Sequence, residues 1–158
     1  MHKIIFSFVV STIVFITNLK AQEFNSSVPK KIVIVLSTKD YATAKSFANE
    51  VSKKLGKSLQ LNGLKPNKEL GLTFSEADCE AYGYPCYIPR GEGNAENTDY
   101  ISVEYSNGYE GFAKGYYIVV AGIGDPNSAF LTRVLANAKK YYKDAYAKQT
   151  KVWFGCMH

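Results

Sequence analysis

Three cysteines are the side chains of this sequence best suited to covalent chemistry: Cys79, Cys86 and Cys156. Cys79 and Cys86 are separated by the run EAYGYP, whose glycine and proline favour a turn. In an oxidising compartment such a pair can close a small loop, so we predict a Cys79–Cys86 disulfide, with two buried thiols as the alternative. Cys156 is left over, either as a free thiol or as a replacement partner for one of the first two.

Few side chains could catalyse a reaction or hold a metal ion. After residue 21 the one histidine is His158, which lies two residues beyond Cys156. These two ligands are fewer than zinc requires, and a terminal histidine is a poorly held general base. Gly122 and Gly124 lack the third glycine of a nucleotide-binding loop. We therefore expect no catalysis, no metal ion and no cofactor.

Side chains that could recognise a ligand are concentrated in residues 65–114, which are rich in tyrosine and glycine. A tyrosine ring can stack on a sugar while its hydroxyl forms a hydrogen bond, and tyrosine suits protein recognition equally well. The candidate ligand contacts are Tyr82, Tyr84, Arg90, Tyr105 and Tyr109. Arg90 lies in residues 89–94, whose glycines and proline predict an exposed, mobile loop. The competing interpretation is that most of these tyrosines are half-buried core and that Arg90 is an ordinary surface charge.

Residues 1–21 have the composition of a secretory signal peptide. A basic start at Lys3 precedes an uncharged apolar run over residues 4–16, and the segment ends at the small residue Ala21. The run is shorter than the roughly 20 residues that a membrane-spanning helix needs, which disfavours a permanent anchor. We expect cleavage after Ala21 or Gln22 and an exported product, periplasmic or secreted, with no membrane span.

The protein carries only a small positive net charge. The formal net charge of +5 falls to +3 when residues 1–21 are removed, because Lys3 and Lys20 leave and no acidic residue does. The paired lysines in the predicted helices are typical of solvated surfaces, so we expect no nucleic-acid partner. Residues 22–158 have the length of a single domain.

Two similar halves position these side chains. In the first, residues 31–36, KIVIVL, predict a buried strand, and Asp40 can cap a helix over residues 41–55 that Gly56 ends. Residues 57–64 alternate in part and predict a second strand.

The same order recurs with a shift of 85 residues, which places Val35 on Val120 and Asp40 on Asp125. Residues 116–121 predict a strand, Asp125 and Pro126 can open a helix over residues 127–143, and residues 148–154 predict the last strand. Between the halves, residues 100–105 alternate and predict an added strand or hairpin.

The two halves predict an α+β fold of ferredoxin-like order βαββαβ, an antiparallel sheet with two helices on one face. Residues 65–114 form a long insertion between them. Because residues 32–36 and 118–121 are apolar on both faces, we expect this insertion to cover the second face of the sheet.

Residues 116–129, YYIVVAGIGDPNSA, resemble the opening of a SPOR domain, the sporulation-related repeat that binds peptidoglycan. The family pattern has an aromatic start, a Val-Gln-Val core, Gly-Ser-Phe, Asp-Pro and an Asn-Ala helix start. Val119, Ala121 and Ser128 depart from it. The family also pairs two such halves, and the resemblance covers about 75 residues. It implies a SPOR-like domain whose open sheet face meets glycan strands stripped of peptides.

The resulting hypothesis is an exported, non-catalytic binding module of the cell envelope that contacts cell-wall glycan. The alternative is a protein-recognition module, such as an inhibitor or an immunity-type factor, that docks the disulfide-bearing insertion into an envelope protein.

Overall fold

The computed structural model describes residues 27–93 and 96–153. The predicted signal peptide and Cys156 lie outside these residues. In chain order the elements are β1 (Ser27–Thr38), α1 (Tyr41–Leu55), β2 (Leu59–Gln60), β3 (Lys65–Asn67), β4 (Gly71–Thr73), β5 (Ile101–Tyr105), β6 (Tyr117–Gly124), α2 (Ala129–Lys139) and β7 (Tyr146–Trp153). Short 3₁₀ turns follow β4 and β5, at Ala77–Cys79 and Ser106–Gly108.

The first strands of the two predicted halves lie side by side. The main sheet has the order β2-β5-β6-β1-β7, and β1 is antiparallel to both of its neighbours. Ile32 is paired with Ile123 and Leu36 with Val119. The prediction that two distant segments meet edge to edge is therefore confirmed.

The prediction of a wholly antiparallel sheet is wrong. β5, which comes from the insertion, is antiparallel to β6 and occupies the position beside it. The short β2 is displaced outward and is parallel to β5, which makes the sheet mixed. The strand predicted over residues 57–64 shrinks to Leu59–Gln60 because only those residues pair with β5.

The capping residues at its two ends set the bounds of α1, as predicted. The Asp40 carboxylate accepts a hydrogen bond from the Thr43 amide at 2.8 Å, which satisfies one of the free donors of the first turn. Gly56 ends the helix at φ 63°, in the left-handed region that glycine adopts at low cost. Ala44, Ala48 and Val51 form its buried side.

The start of α2 differs from the prediction. Ser128, not Asp125, caps this helix, with its Oγ accepting from the Leu131 amide at 3.2 Å. β6 continues through Gly122 to Gly124, so the turn comes later in the chain than the glycines suggest. A β-carbon at Gly122 would lie 2.9 Å from a methyl of Val134, which explains why glycine occurs inside this strand. Asp125 instead pairs with Lys30, Nζ to Oδ1, at 2.7 Å.

Both faces of the sheet are buried. The two helices pack on one face, against a cluster that includes Val33, Val35, Val119 and Ala121 of β1 and β6. On the other face, Tyr109 and Phe112 of the insertion pack against the alternate side chains of the same strands: Ile32, Ile34, Ile118 and Val120. The insertion thus covers the second face, as the apolar strands predict. Among the described residues, no helix has both the length and the apolar character needed to cross a bilayer.

Candidate functional site

Four tyrosines form a continuous row at one end of the main sheet, which we call the tyrosine row. Tyr87 contacts Tyr105, Tyr105 contacts Tyr117, and Tyr117 contacts Tyr41, with ring centroids 5.6, 5.1 and 5.5 Å apart. The rings are tilted against one another, a favourable arrangement for aromatic pairs. All four side chains are half-buried, so each keeps part of its surface in contact with solvent.

Strand register creates the row. Tyr105, at the end of β5, is directly opposite Tyr117, at the start of β6. Tyr117 is in turn opposite Thr38, the last residue of β1, and α1 begins three residues later at Tyr41. Gly71 lies against the ring of Tyr105, where a β-carbon would come within 2.1 Å of a ring atom. Only a residue without a side chain fits there.

Three hydroxyls of the row have no partner among the described residues. The Tyr87 hydroxyl donates to the Leu70 carbonyl at 2.8 Å, whereas those of Tyr41, Tyr105 and Tyr117 form no such bond. Burial raises the pKa of Tyr117, and the neighbouring Tyr105, Asp40 and Tyr41 raise it further. Burial also raises the pKa of Tyr41. The phenols of Tyr41 and Tyr117 therefore stay protonated at neutral pH and can both donate and accept hydrogen bonds.

The predicted disulfide is present between Cys79 and Cys86, whose sulfurs are 2.07 Å apart. Both cysteines are buried, and the Thr73 hydroxyl donates to the Cys86 carbonyl at 2.9 Å, which ties the loop to β4. Two of the predicted contact residues, Tyr82 and Tyr84, lie between the cysteines and are 54% and 44% exposed. The closed loop therefore presents two tyrosine rings to solvent.

Arg90 is not the exposed loop residue that the sequence predicts, since it is only 5% exposed. Its Nε donates to the Thr98 hydroxyl at 2.9 Å and its Nη1 to the Tyr100 carbonyl at 2.9 Å. The guanidinium also lies 3.5 Å from the centroid of the Tyr100 ring. Glycine and proline on either side mark a loop, but they do not indicate that this loop folds back onto β5.

Tyr109 is also misassigned as a ligand contact, because it is 1% exposed. Its hydroxyl donates to the buried carboxylate of Glu104 and accepts from the Arg90 amide at 3.0 Å. The Ser102 hydroxyl also donates to Glu104 and accepts from Arg90 Nη1 at 3.3 Å. The Ser102 hydroxyl thus links the buried guanidinium to the Glu104 carboxylate, and the Tyr109 hydroxyl links the backbone amide of Arg90 to the same carboxylate. Tyr109 and Arg90 hold the insertion on the sheet and cannot reach a ligand in this conformation.

A shallow groove of about 440 Å³ lies near the end of α2. Phe47 and Tyr142 contact each other in its wall, with ring centroids 5.2 Å apart, and Tyr141 and Tyr146 border it with exposed rings. Lys54 lies 5.1 Å from the centroid of the Tyr141 ring. The groove therefore has largely aromatic walls.

The sequence interpretation finds one member of the tyrosine row, Tyr105, among its candidate contacts. It misses the other three: Tyr87, which lies within the tyrosine-rich insertion, and Tyr41 and Tyr117, which are far apart in the chain and lie outside it. The one sequence signal of Tyr41 and Tyr117 is position, since Tyr41 begins a predicted helix and Tyr117 is the second residue of a predicted strand. Strand pairing, together with the short turn from β1 to α1, brings Tyr41 and Tyr117 together.

No family model, no curated protein and no solved structure matches this chain. In the part of the chain that the structure describes, no group of three or more His, Cys, Asp or Glu residues could hold a metal ion.

Proposed function

We propose that this chain is an exported, non-catalytic binding module that binds cell-wall glycan through the tyrosine row. The observation that carries the proposal is the set of three half-buried phenols, Tyr41, Tyr105 and Tyr117, whose hydroxyls form no hydrogen bonds within the described chain. Sugars present apolar C–H groups beside hydroxyls, and tyrosine offers an apolar ring beside a hydroxyl. Such a surface suits a saccharide better than a purely apolar or purely charged ligand.

The SPOR resemblance supports the class of ligand but not the usual way of binding it. That resemblance implies contact through an open sheet face, and in this chain Tyr109 and Phe112 cover that face. Arg90 covers the part of the face that lies over β5, where it contacts Ser102. A glycan would therefore have to approach from the end of the sheet, where the tyrosine row lies.

The alternative of a protein-recognition module is supported by Tyr82 and Tyr84. Exposed tyrosines on a conformationally restricted loop are typical anchors in protein interfaces. In this alternative, the disulfide loop docks into an envelope protein, as an inhibitor or an immunity-type factor would.

Co-sedimentation with purified, peptide-stripped cell wall tests the proposal. We expect the protein to be retained. The triple variant Tyr41→Phe, Tyr105→Phe, Tyr117→Phe should bind at least about tenfold more weakly, because each of three hydrogen bonds to the sugar contributes about 0.5–1.5 kcal/mol. The thermal midpoint should be unchanged, since the removed hydroxyls have no partner in the described protein.

Tyr146→Phe is the matched control, because this exposed tyrosine lies outside the row. It should bind like the wild type. If instead the Tyr82→Ala, Tyr84→Ala variant loses retention while the triple variant keeps it, the disulfide loop is the binding surface and the tyrosine row is not.

A further inference from the structure

One exposed cation lies beside the tyrosine row. The Lys39 ammonium is 3.7 Å from the centroid of the Tyr116 ring and donates one long hydrogen bond, of 3.3 Å, to the Lys114 carbonyl. A β-carbon built at Gly115 would be 3.1 Å from Lys39 Nζ and 3.7 Å from the Tyr105 hydroxyl. The ammonium and this phenol oxygen therefore lie within 6.8 Å of each other, both beside Gly115.

The other charges near this point are engaged in structural contacts. The Asp40 carboxylate accepts hydrogen bonds from the amide and the hydroxyl of Thr43, and those bonds lower its pKa. This carboxylate caps α1, so the positive end of the helix dipole offsets its charge. The Lys114 ammonium donates to the carbonyls of Asn107 and Tyr109, both at 3.2 Å. Lys39 is thus the cation best placed to meet a ligand on the row.

We propose that the tyrosine row selects an acidic saccharide, in which a carboxylate on the sugar pairs with Lys39. The inference rests on the proposed function and adds the charge of the ligand to it. The hydroxyls of Tyr105 and Tyr117 form hydrogen bonds with sugar hydroxyls beside the carboxylate. The Tyr116 ring holds the Lys39 ammonium in place through their cation–π contact. Because Lys39 is exposed, water and salt weaken the ion pair, and its contribution to selectivity is modest.

Two forms of one glycan test the proposal: peptide-stripped cell-wall glycan, and the same material with its carboxylates reduced to alcohols. We expect the wild-type protein to bind the native form about two- to fivefold more tightly, the effect of one exposed ion pair. Added salt should remove this preference. Lys39→Met should bind both forms with the affinity that the wild type has for the reduced form.

Lys53→Met is the matched control, because it removes the same charge near the other end of α1 and should keep the preference for the native glycan. Equal binding of both forms by the wild type would overturn the acid preference and leave glycan binding in place. Retention of neither form would overturn the proposed function, and the acid preference with it.

Discussion

At the scale of single residues, hydrogen bonding separates the tyrosines that support the fold from those that are available to a ligand. Tyr109 is buried, and its hydroxyl is bonded on both sides, to Glu104 and to the Arg90 amide. Tyr105 is four residues earlier in the chain, yet its hydroxyl has no partner among the described residues. Composition cannot distinguish these two side chains, because both are tyrosines in the same glycine-rich insertion.

Tyr109→Phe should lower the free energy of unfolding at pH 7 by about 2 kcal/mol, because it leaves a buried carboxylate oxygen and a buried amide without a partner. Burial, and then the charge of Glu104, raises the pKa of Tyr109 well above 10. Above pH 10 the unfolded chain therefore releases a proton that the folded chain retains, and stability falls as the pH rises. The variant should lose less stability than the wild type between pH 9 and pH 11.

Urea denaturation at several pH values measures both effects. Tyr84→Phe is the control, because this exposed tyrosine should change the free energy of unfolding by no more than about 0.5 kcal/mol. A wild-type and a Tyr109→Phe curve that coincide at pH 7 would contradict the role assigned to the buried hydroxyl.

At the scale of elements, the short hairpin of β3 and β4 packs against the Tyr105 ring of the tyrosine row. Asn67 is paired with Gly71, and Gly71 has a φ of 81° and touches the Tyr105 ring. Leu72, the next residue of β4, is buried in the helix-side core. The hairpin is therefore packed on the end of β5, and it fixes the orientation of Tyr105.

Gly71→Ala should destabilise the protein by at least about 2 kcal/mol, because the new methyl group meets the Tyr105 ring in a backbone conformation that already disfavours alanine. Gly63→Ala is the matched control. Gly63 also has a positive φ, 72°, but nothing lies within 4 Å of its β-carbon position, so about 1 kcal/mol is expected. Chemical denaturation measures both variants, and equal losses would contradict the close packing of Gly71 and Tyr105.

At the scale of the whole molecule, the long-range pairing of β1, β6 and β7 builds the sheet without help from the disulfide. β1 lies between β6 and β7 and pairs with both over most of its length. The disulfide closes a loop within the insertion and joins no two strands of the main sheet. The core on the helix side should therefore survive its loss.

The double variant Cys79→Ser, Cys86→Ser should keep the circular dichroism spectrum of the wild type. Its free energy of unfolding should fall by about 2–3 kcal/mol, because the unfolded chain is no longer constrained by the closed loop and gains conformational entropy. Tyr82 and Tyr84 should become more mobile, which faster proteolysis between the two serines would report. A variant that does not fold at 25 °C would show that the disulfide is needed to hold the insertion on the sheet.

The sequence by itself determines the local elements: the central strands, the cap of α1 at Asp40 and its end at Gly56. It also favours the Cys79–Cys86 pairing over two buried thiols or a pairing with Cys156. Each depends on side chains close together in the chain. Only the tertiary structure decides that β5 enters the sheet beside β6, that Arg90 and Tyr109 turn inward, and that Tyr41, Tyr105 and Tyr117 meet. Those outcomes depend on strand pairing between distant segments, which no local pattern of side chains encodes.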